Sequence, residues 1–212
     1  SAAEAGAYGL MKKNADGSYS TFSAGDVRFL DLNGDHVIDE NDRQIIGIPT
    51  PKFFGSISSR LMYKRFQLDA LFTFSQGNQV FNYLRYRLES ASGVENQLNS
   101  VVNRWRADGQ VTAMPKATYG DPMGNNRFST RWIEDGSYLR LRNVSLSYSI
   151  PFKGVAVKNA TIYVTGNNLL TFTKYMGYDP EFSAGPGVFA QGIDTGLDPV
   201  FKSVSLGARI GL

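Results

Sequence analysis

The stretch Val200-Phe-Lys-Ser-Val-Ser-Leu-Gly-Ala-Arg-Ile-Gly-Leu212 alternates. Even positions carry Val200, Lys202, Val204, Leu206, Ala208, Ile210 and Leu212, and odd positions carry Phe201, Ser203, Ser205, Gly207, Arg209 and Gly211. A period of two is the signature of a β-strand with one apolar and one small or polar face. Residues 66–76 repeat it, with Phe66, Leu68, Ala70, Phe72 and Phe74 opposed to Gln67, Asp69, Thr73 and Ser75, and with aromatic residues at both ends of the apolar face. Residues 53–63 and 159–168 read as strands on the same ground. In 138–150 the parity of the apolar positions switches, from Leu139 and Leu141 to Val144, Leu146, Tyr148 and Ile150, which predicts a bulge near Arg142 and Asn143.

Connection lengths choose between all-β architectures. Strands 53–63 and 66–76 are joined by Lys64 and Arg65 alone, and 138–150 reaches 159–168 across Pro151 to Lys158. The other two connections run over 77–137 and 169–199. Tight turns on one side and long loops on the other describe a transmembrane β-barrel, whereas structureless loops of this length argue against an ordinary sandwich. Five antiparallel strands cannot close such a barrel, for which about eight is the smallest common number. The missing strands are therefore expected upstream in a longer polypeptide or on another chain.

Composition agrees and narrows the function. The 212 residues are 42% hydrophobic, 13% aromatic and 19% charged, enough apolar material for a packed fold. The net charge of +3 comes from singly scattered basic residues, which speaks against nucleic acid as a partner. Without cysteine there is no disulfide, thiolate metal site or cysteine nucleophile, and His36 as the single histidine argues against a multi-histidine metal site and a Ser/His/Asp triad. No run approaches the roughly 18 apolar residues of a membrane helix, and Ser1 to Ala7 has neither the basic nor the apolar region of a signal peptide. Adjacent acids at Glu134 and Asp135, or Asp179 and Glu181, are weak grounds for glycoside hydrolysis, and Gly185-Pro-Gly187 lacks the lysine of a phosphate loop. No catalytic motif emerges.

Three loop features carry possible chemistry. Asp31-Leu-Asn33-Gly-Asp35-His-Val37-Ile-Asp39-Glu-Asn-Asp42 places side-chain oxygens of Asp31, Asn33, Asp35, Asp39 and Asp42, and the carbonyl of Val37, at calcium-loop spacing. His36 stands where glycine normally makes the sharp turn and Asp42 replaces the bidentate glutamate. The alternative is a set of solvated Asx turns. Tyr119, Asn125, Asn126, Trp132, Tyr175, Tyr178 and Asp179 offer stacking faces and polar groups suited to a sugar or peptide, or equally to a membrane or protein interface. Leu98, Val101, Val102 and Trp105 share one face if 97–105 is helical, and Asn14-Ala-Asp-Gly17 is a hairpin turn.

Gly25-Asp-Val-Arg-Phe-Leu-Asp-Leu-Asn-Gly-Asp-His-Val-Ile-Asp-Glu-Asn-Asp-Arg-Gln-Ile-Ile-Gly47, followed by Pro49, Pro51, Phe54-Gly55 and Tyr63-Lys64, resembles the approach to the late barrel strands of SusC-like (RagA-type) TonB-dependent outer-membrane transporters. Arg131-Trp-Ile-Glu-Asp-Gly-Ser-Tyr-Leu-Arg-Leu-Arg-Asn143, Tyr148-Ser-Ile-Pro151 and Gly166-Asn-Asn-Leu169 continue the resemblance, and the alternating last residues match the assembly signal of outer-membrane barrels.

The resemblance implies an all-β fold: about five last strands of a large antiparallel transmembrane barrel with long extracellular loops. Residues 1–52 would be an extracellular segment with the calcium-type loop, and 53–212 the C-terminal strands and loops. It further implies a non-enzymatic part of an importer of glycans or peptides in the outer membrane of a Gram-negative bacterium. The partners would be the remaining strands and plug of the same barrel, a SusD-like surface lipoprotein, TonB through another region, and outer-membrane lipid; the spacing in 31–42, independently of the resemblance, points to Ca2+ as a structural ion. Two other readings stay open: a barrel subunit of a surface protein-export or outer-membrane assembly complex, and a soluble calcium-dependent carbohydrate-binding sandwich.

Overall fold

The computed structural model describes residues 1–151, 159–181, 185, 187 and 190–211. The expected turn after Pro151, Leu212 and the centre of the Gly185–Gly187 stretch lie outside the described residues. The strands are β1 (Met11–Lys13), β2 (Tyr19–Thr21), β3 (Phe53–Tyr63), β4 (Phe66–Gln76), β5 (Gln79–Asn82), β6 (Ile133–Asp135), β7 (Tyr138–Ile150), β8 (Asn159–Thr173), β9 (Ile193–Asp194) and β10 (Ser203–Gly211). Helices α1 (Ala2–Tyr8) and α2 (Tyr83–Leu88) and short 3-10 turns at Glu40–Asp42, Asn99–Asn103 and Thr130–Trp132 are the other elements among the described residues. The chain divides into two compact units, residues 1–46 with 82–132, and 47–81 with 133–212. Most of the first long loop, residues 82–132, thus falls in the same compact unit as residues 1–46.

The second unit is built on a five-stranded antiparallel meander in the order β3-β4-β7-β8-β10. Its register aligns the period-two patterns of separate strands into rows. Leu61, Leu68, Leu146, Val164 and Leu206 face one another across all five strands, flanked by a row of Ser59, Ala70, Val144, Gly166 and Val204 and a row of Ile57, Phe72, Leu141 and Leu170. Aromatic residues bound this apolar face at both ends: Tyr63, Phe66 and Tyr148 beside the β3–β4 turn, and Phe74 with Phe172 at the far end. Phe66 and Phe74 are about 27 Å apart along the strand at about 3.4 Å per residue, or about 20 Å in height at a barrel tilt, the scale of a lipid-facing band. The face is bare, with Leu206 84% and Ile57 60% exposed. A soluble sandwich would pack a second sheet there.

The opposite face is hydrogen-bonded and mostly polar. Arg60 and Gln67 both donate to Asp69 at 2.6 Å, Ser145 meets Thr165 at 3.0 Å, and Asn143, Asn167 and Ser203 form a chain of side-chain bonds at 2.9 and 3.1 Å. Met62 and Leu71 are the aliphatic exceptions, and Tyr163 lies so closely over Gly207 that a Cβ built there would enter its ring.

The predicted bulge is present. Register shifts between Leu141 and Asn143, with Arg142 between the paired residues of β7, and with Asn168 (φ 52°) and Leu169 between those of β8. The extra residue is what keeps Leu139 and Leu141 on the same face as Val144, Leu146 and Tyr148. The β3–β4 turn is the expected two residues, and Lys64 takes the left-handed φ of 54° that a tight hairpin requires.

Two expectations about the connections are corrected. β8 continues to Thr173, and the long connections are not structureless: beyond the break at Gly77–Asn78 and Gly136–Ser137, the β4–β7 pair resumes as β5–β6, with β9 on the other side of β5. The Asn78 carbonyl accepts from Gly136 N–H at 2.9 Å across that break.

The first unit holds small separate cores, one of Leu10, Phe22 and Ile38 with Phe29 and Met123 against it, another of Ala91, Val101 and Met114. The hairpin at Asn14–Gly17 forms, with β1 and β2 antiparallel and Gly17 at φ 84°. The expected helix over 97–105 is a 3-10 turn, Asn99–Asn103, in which Val101 is buried while Leu98 and Val102 are exposed. Leu98 precedes the turn with an extended backbone, and three residues per turn move Val102 off the side of Val101. Trp105 instead covers Gly25, whose φ of 82° and missing side chain leave room for the indole.

Candidate functional site

Within the first unit, the loop 31–42 is closed by its own carboxylates. Asp31 accepts from Gly34 and His36 N–H (2.7 and 2.9 Å), Asp35 from Val37 (2.8 Å), Asp39 from Asn41 (2.8 Å), and Asp42 from Leu32 and Asp39 (2.8 and 2.9 Å). Desolvation opposes ionisation of Asp31, but the His36 and Gly34 N–H groups outweigh it and hold the carboxyl below its usual range. Asn33 accepts from Asp35 N–H at 3.1 Å. His36 adopts φ 64°, so the histidine makes the turn that glycine usually makes. Met11 N–H donates to the His36 carbonyl and Ile38 N–H to the Met11 carbonyl, both at 2.8 Å, tying the loop to β1 across Val37. Among the described residues no three His, Asp or Glu side chains are grouped to hold a metal ion.

Of the seven residues expected to contact a sugar or peptide, Tyr119, Asn125, Asn126 and Trp132 belong to the first unit and Tyr175, Tyr178 and Asp179 to the second. Trp132 is fully buried, its indole N–H donating to the Arg127 carbonyl at 3.1 Å and its ring flanked by the Arg131 guanidinium at 4.5 Å. Burial pushes the Arg131 guanidinium below its usual range. Asn125 is buried as a brace: its Oδ1 accepts from Val27 N–H and its amide donates to Asp26, both at 2.8 Å. Asp26, with its side chain 1% exposed, also accepts from Lys116 at 3.0 Å and Ser23 N–H at 2.8 Å. Burial disfavours its charge, yet the bonds from Asn125, Ser23 and Lys116 prevail and leave the Asp26 carboxyl below its usual range. Tyr175 and Asp179 are buried in the second unit, where Tyr178 is exposed.

Tyr119 and Asn126 do share a place. They line a cleft of about 470 Å³ in the first unit, with Tyr83 and Tyr86 of α2 and the segment 90–97. The rings of Tyr83 and Tyr86 stack at 5.5 Å, and Arg87 pairs with Glu95. Gly120 N–H donates to the Ser92 carbonyl at 2.8 Å, joining two segments of the lining.

The second unit contains a cluster that the sequence reading missed. Arg140, on the polar face of β7 and 1% exposed, donates to Asp179 and Glu181, each at 2.6 Å. Arg142, at the bulge, donates to Glu181 at 2.5 Å, and the Tyr138 hydroxyl donates to the same carboxylate. Tyr175 donates to Asp194, which also caps Gly196 N–H, while Glu134 accepts from Met176 N–H at 2.9 Å. The acid pairs are therefore structural: Asp179 and Glu181 are held by arginines, and Glu134 and Asp135 by loop N–H groups. The available signal was alternation: Arg140 lies on the polar side of its strand, and two acids two residues apart await it.

The chain is similar to known proteins in sequence and in fold. The chain is 39% identical over 156 residues to TonB-dependent receptor P3 of Formosa agariphila, covering 72% of this chain and 15% of that protein. It is 29% identical over 170 residues to TonB-dependent receptor SusC of Bacteroides thetaiotaomicron, covering 74% of this chain and 15% of SusC. Against the solved structure of the RagAB peptide importer in its closed-closed state, the match covers 93% of this chain and 20% of that one, with a TM-score of 0.70 at 28% identity. The chain belongs to the SusC-like TonB-dependent transporters. No protein-family model matches it.

The SusC-like assignment explains a sheet whose edges, β3 and β10, are unpaired among the described residues, as a portion of a larger barrel wall. It places the segment in an outer-membrane protein. Its relatives are receptors and transporters, and this chain spans less than a fifth of the length of those it matches.

Proposed function

We propose that this segment forms part of the wall and extracellular loops of an importer for glycans or peptides. In this reading the apolar face meets outer-membrane lipid, the polar face meets the barrel interior and its plug, and the clamped and cleft-bearing loops lie outside the cell. A SusD-like lipoprotein is the surface partner, and TonB energises transport through a region beyond these residues. The segment itself is non-enzymatic. The observation that carries the reading is the register of β3, β4, β7, β8 and β10, which brings five amphipathic strands into one apolar and one polar face.

Mild detergent extraction of the native protein, followed by mass spectrometry of its partners and uptake assays in a deletion strain, tests this. A surface lipoprotein partner and loss of uptake of a glycan or peptide support the importer. Co-purification with export or assembly factors, with uptake intact, would replace it by the assembly-subunit reading.

A structural calcium ion in 31–42 belongs to the same proposal. Donor spacing and the left-handed turn at His36 support it, and binding requires Asp31, Asp35 and Asp39 to share their carboxylates between backbone N–H groups and the ion. Calorimetric titration of the EDTA-treated protein with Ca2+ decides: saturable heat lost in Asp31→Asn/Asp35→Asn supports the site, and absence of saturable heat removes it.

A further inference from the structure

We infer that residues 174–181 form a strap folded into the mouth of the bore, latched on Arg140 and Arg142, and that this strap sets the size of what can pass. The inference deepens the importer reading, on which it rests for the polar face being the inner one. The strap belongs to a loop that leaves the outer end of β8 and turns back over the sheet.

Its place follows from the register. Arg140 shares a polar-face row with Ser56, Thr73 and Thr171, and the Asp179 and Glu181 carboxylates accept from it at 2.6 Å. Met176 N–H meets Glu134 beyond the outer end of β7, whereas Glu181 meets Arg142 at the bulge, so the strap descends along β7. Leu141, beside Arg142, belongs to the lipid-facing row of Ile57, Phe72 and Leu170, one row inside the aromatic residues Phe74 and Phe172. The strap therefore runs inside the wall, below the outer edge of the apolar band. A layer of chain laid on a sheet occupies about 10 Å, and the bore is narrower by about that much on this side.

The tip is stiff. Pro180 stands between the two acids with its φ fixed, and Glu181 N–H donates to Asp179 at 3.0 Å, so both carboxylates are presented to the wall together. Met176 and Tyr178 are exposed, while Asp179 is buried against Arg140. Such a tip lifts as one piece.

The latch is also suited to release. Polar contacts hold the tip, with Tyr138 and Arg142 sharing Glu181, and these groups exchange protein partners for water when the strap lifts. Closing leaves two buried atoms without a hydrogen-bond partner, Nε of Arg140 and Oγ1 of Thr73, on residues that are neighbours across the β4–β7 register. Water reaches both once the strap is lifted, so the closed state carries a cost that the open state does not. The ion pairs outweigh that cost and keep the strap closed at rest, within reach of opening.

The test uses the full-length transporter in intact cells, in a background with no other reactive cysteine. Ser58 is exposed on the polar face in the row of Leu71, Asn143 and Asn167, one row past the bulge, and Ser58→Cys is labelled with a small charged maleimide or with a polyethylene glycol maleimide. With the strap intact, the small reagent should react faster than the polymer by about tenfold or more. Arg140→Met, and separately Asp179→Asn with Glu181→Gln, should speed the polymer about tenfold or more and the small reagent by less than about twofold. The second variant leaves the strands untouched, and heat-resistant gel mobility verifies the barrel in both. A polymer rate within about twofold of the unsubstituted strap in either variant, including no polymer reaction at all, or equal rates of the two reagents before any substitution, would overturn the strap. Ile57→Cys, on the opposite face, separates the two readings. If it reacts with the small reagent as fast as Ser58→Cys, the wall assignment fails; if it stays unreactive while the polymer rates are unchanged, only the strap fails.

Discussion

Arg140→Met removes the centre of the clamp in the second unit and leaves Asp179 buried without its cation. Both side chains are 2% exposed, whereas Glu181 at 22% keeps Arg142 and Tyr138. Breaking a buried ion pair from one side costs about 3–5 kcal/mol, and because Glu181 retains partners the lower end, about 3 kcal/mol, applies. At 1.36 kcal/mol per tenfold, the segment 174–181 should open about a hundredfold more often. Hydrogen exchange followed by mass spectrometry on the full-length protein reads this directly. The amides of Met176 and Glu181, bonded to Glu134 and Asp179, should exchange about a hundredfold faster, while those at the middle of β7 and β8 keep their rates. Arg140→Met combined with Asp179→Leu should recover more than half of the protection at Met176, since no charge is then left unpaired at that position, while the Glu181 amide, whose acceptor is gone, stays fast. Exchange within threefold of wild type in Arg140→Met would refute the argument that this pair holds the loop.

Leu146→Lys, in the middle of the apolar row, should destabilise the assembled barrel by about 2–4 kcal/mol, while Ser145→Lys, one residue along and facing the other way, should cost far less; urea unfolding in lipid vesicles compares them. Gly207→Val should displace the Tyr163 ring at a cost of about 1–3 kcal/mol and lower the temperature at which the barrel loses its heat-resistant gel mobility. The depressed folded pKa of Asp26 makes its contribution fully present above the unfolded carboxylate value, about 3.9, and lost as pH falls through the lower folded value. Proteolysis of the first unit should therefore be flat from pH 5 to 8 and accelerate below about pH 4, and Lys116→Met, which raises the folded value toward the unfolded one, should speed proteolysis at neutral pH and shrink the acid step.

The wall was legible because its signal is local and repeated. Each strand states its two faces by alternation, and the parity switch at Arg142 and Asn143 could be read as a bulge before any partner strand was known. The tight turn at Lys64–Arg65 and the hairpin at Asn14–Gly17 are equally local. What escaped lies between distant segments. Asn125, Trp132, Tyr175 and Asp179 are residue types that suit a ligand, and only the packing of segments far apart in the chain turns them into braces. Ser1 and Glu4 cap α1 as a capping box, with Gly9 at φ 57°, but a helix of only 7 residues carries no apolar periodicity to announce it. The 97–105 segment failed for a different reason: an apolar i, i+3, i+4 pattern fits a helix, but five residues in a 3-10 turn satisfy Val101 alone.

Assignment of the sheet as membrane wall is tested most directly by single-cysteine scanning of Phe66–Gln76 in the full-length transporter, since this segment contributes no native thiol. Bimane attached at Leu68, Ala70 and Phe72 should be quenched by brominated lipid, while Gln67, Asp69 and Thr73 should escape that quenching. Quenching without a period of two, or equal labelling of both sets by a water-soluble maleimide, would contradict the assignment.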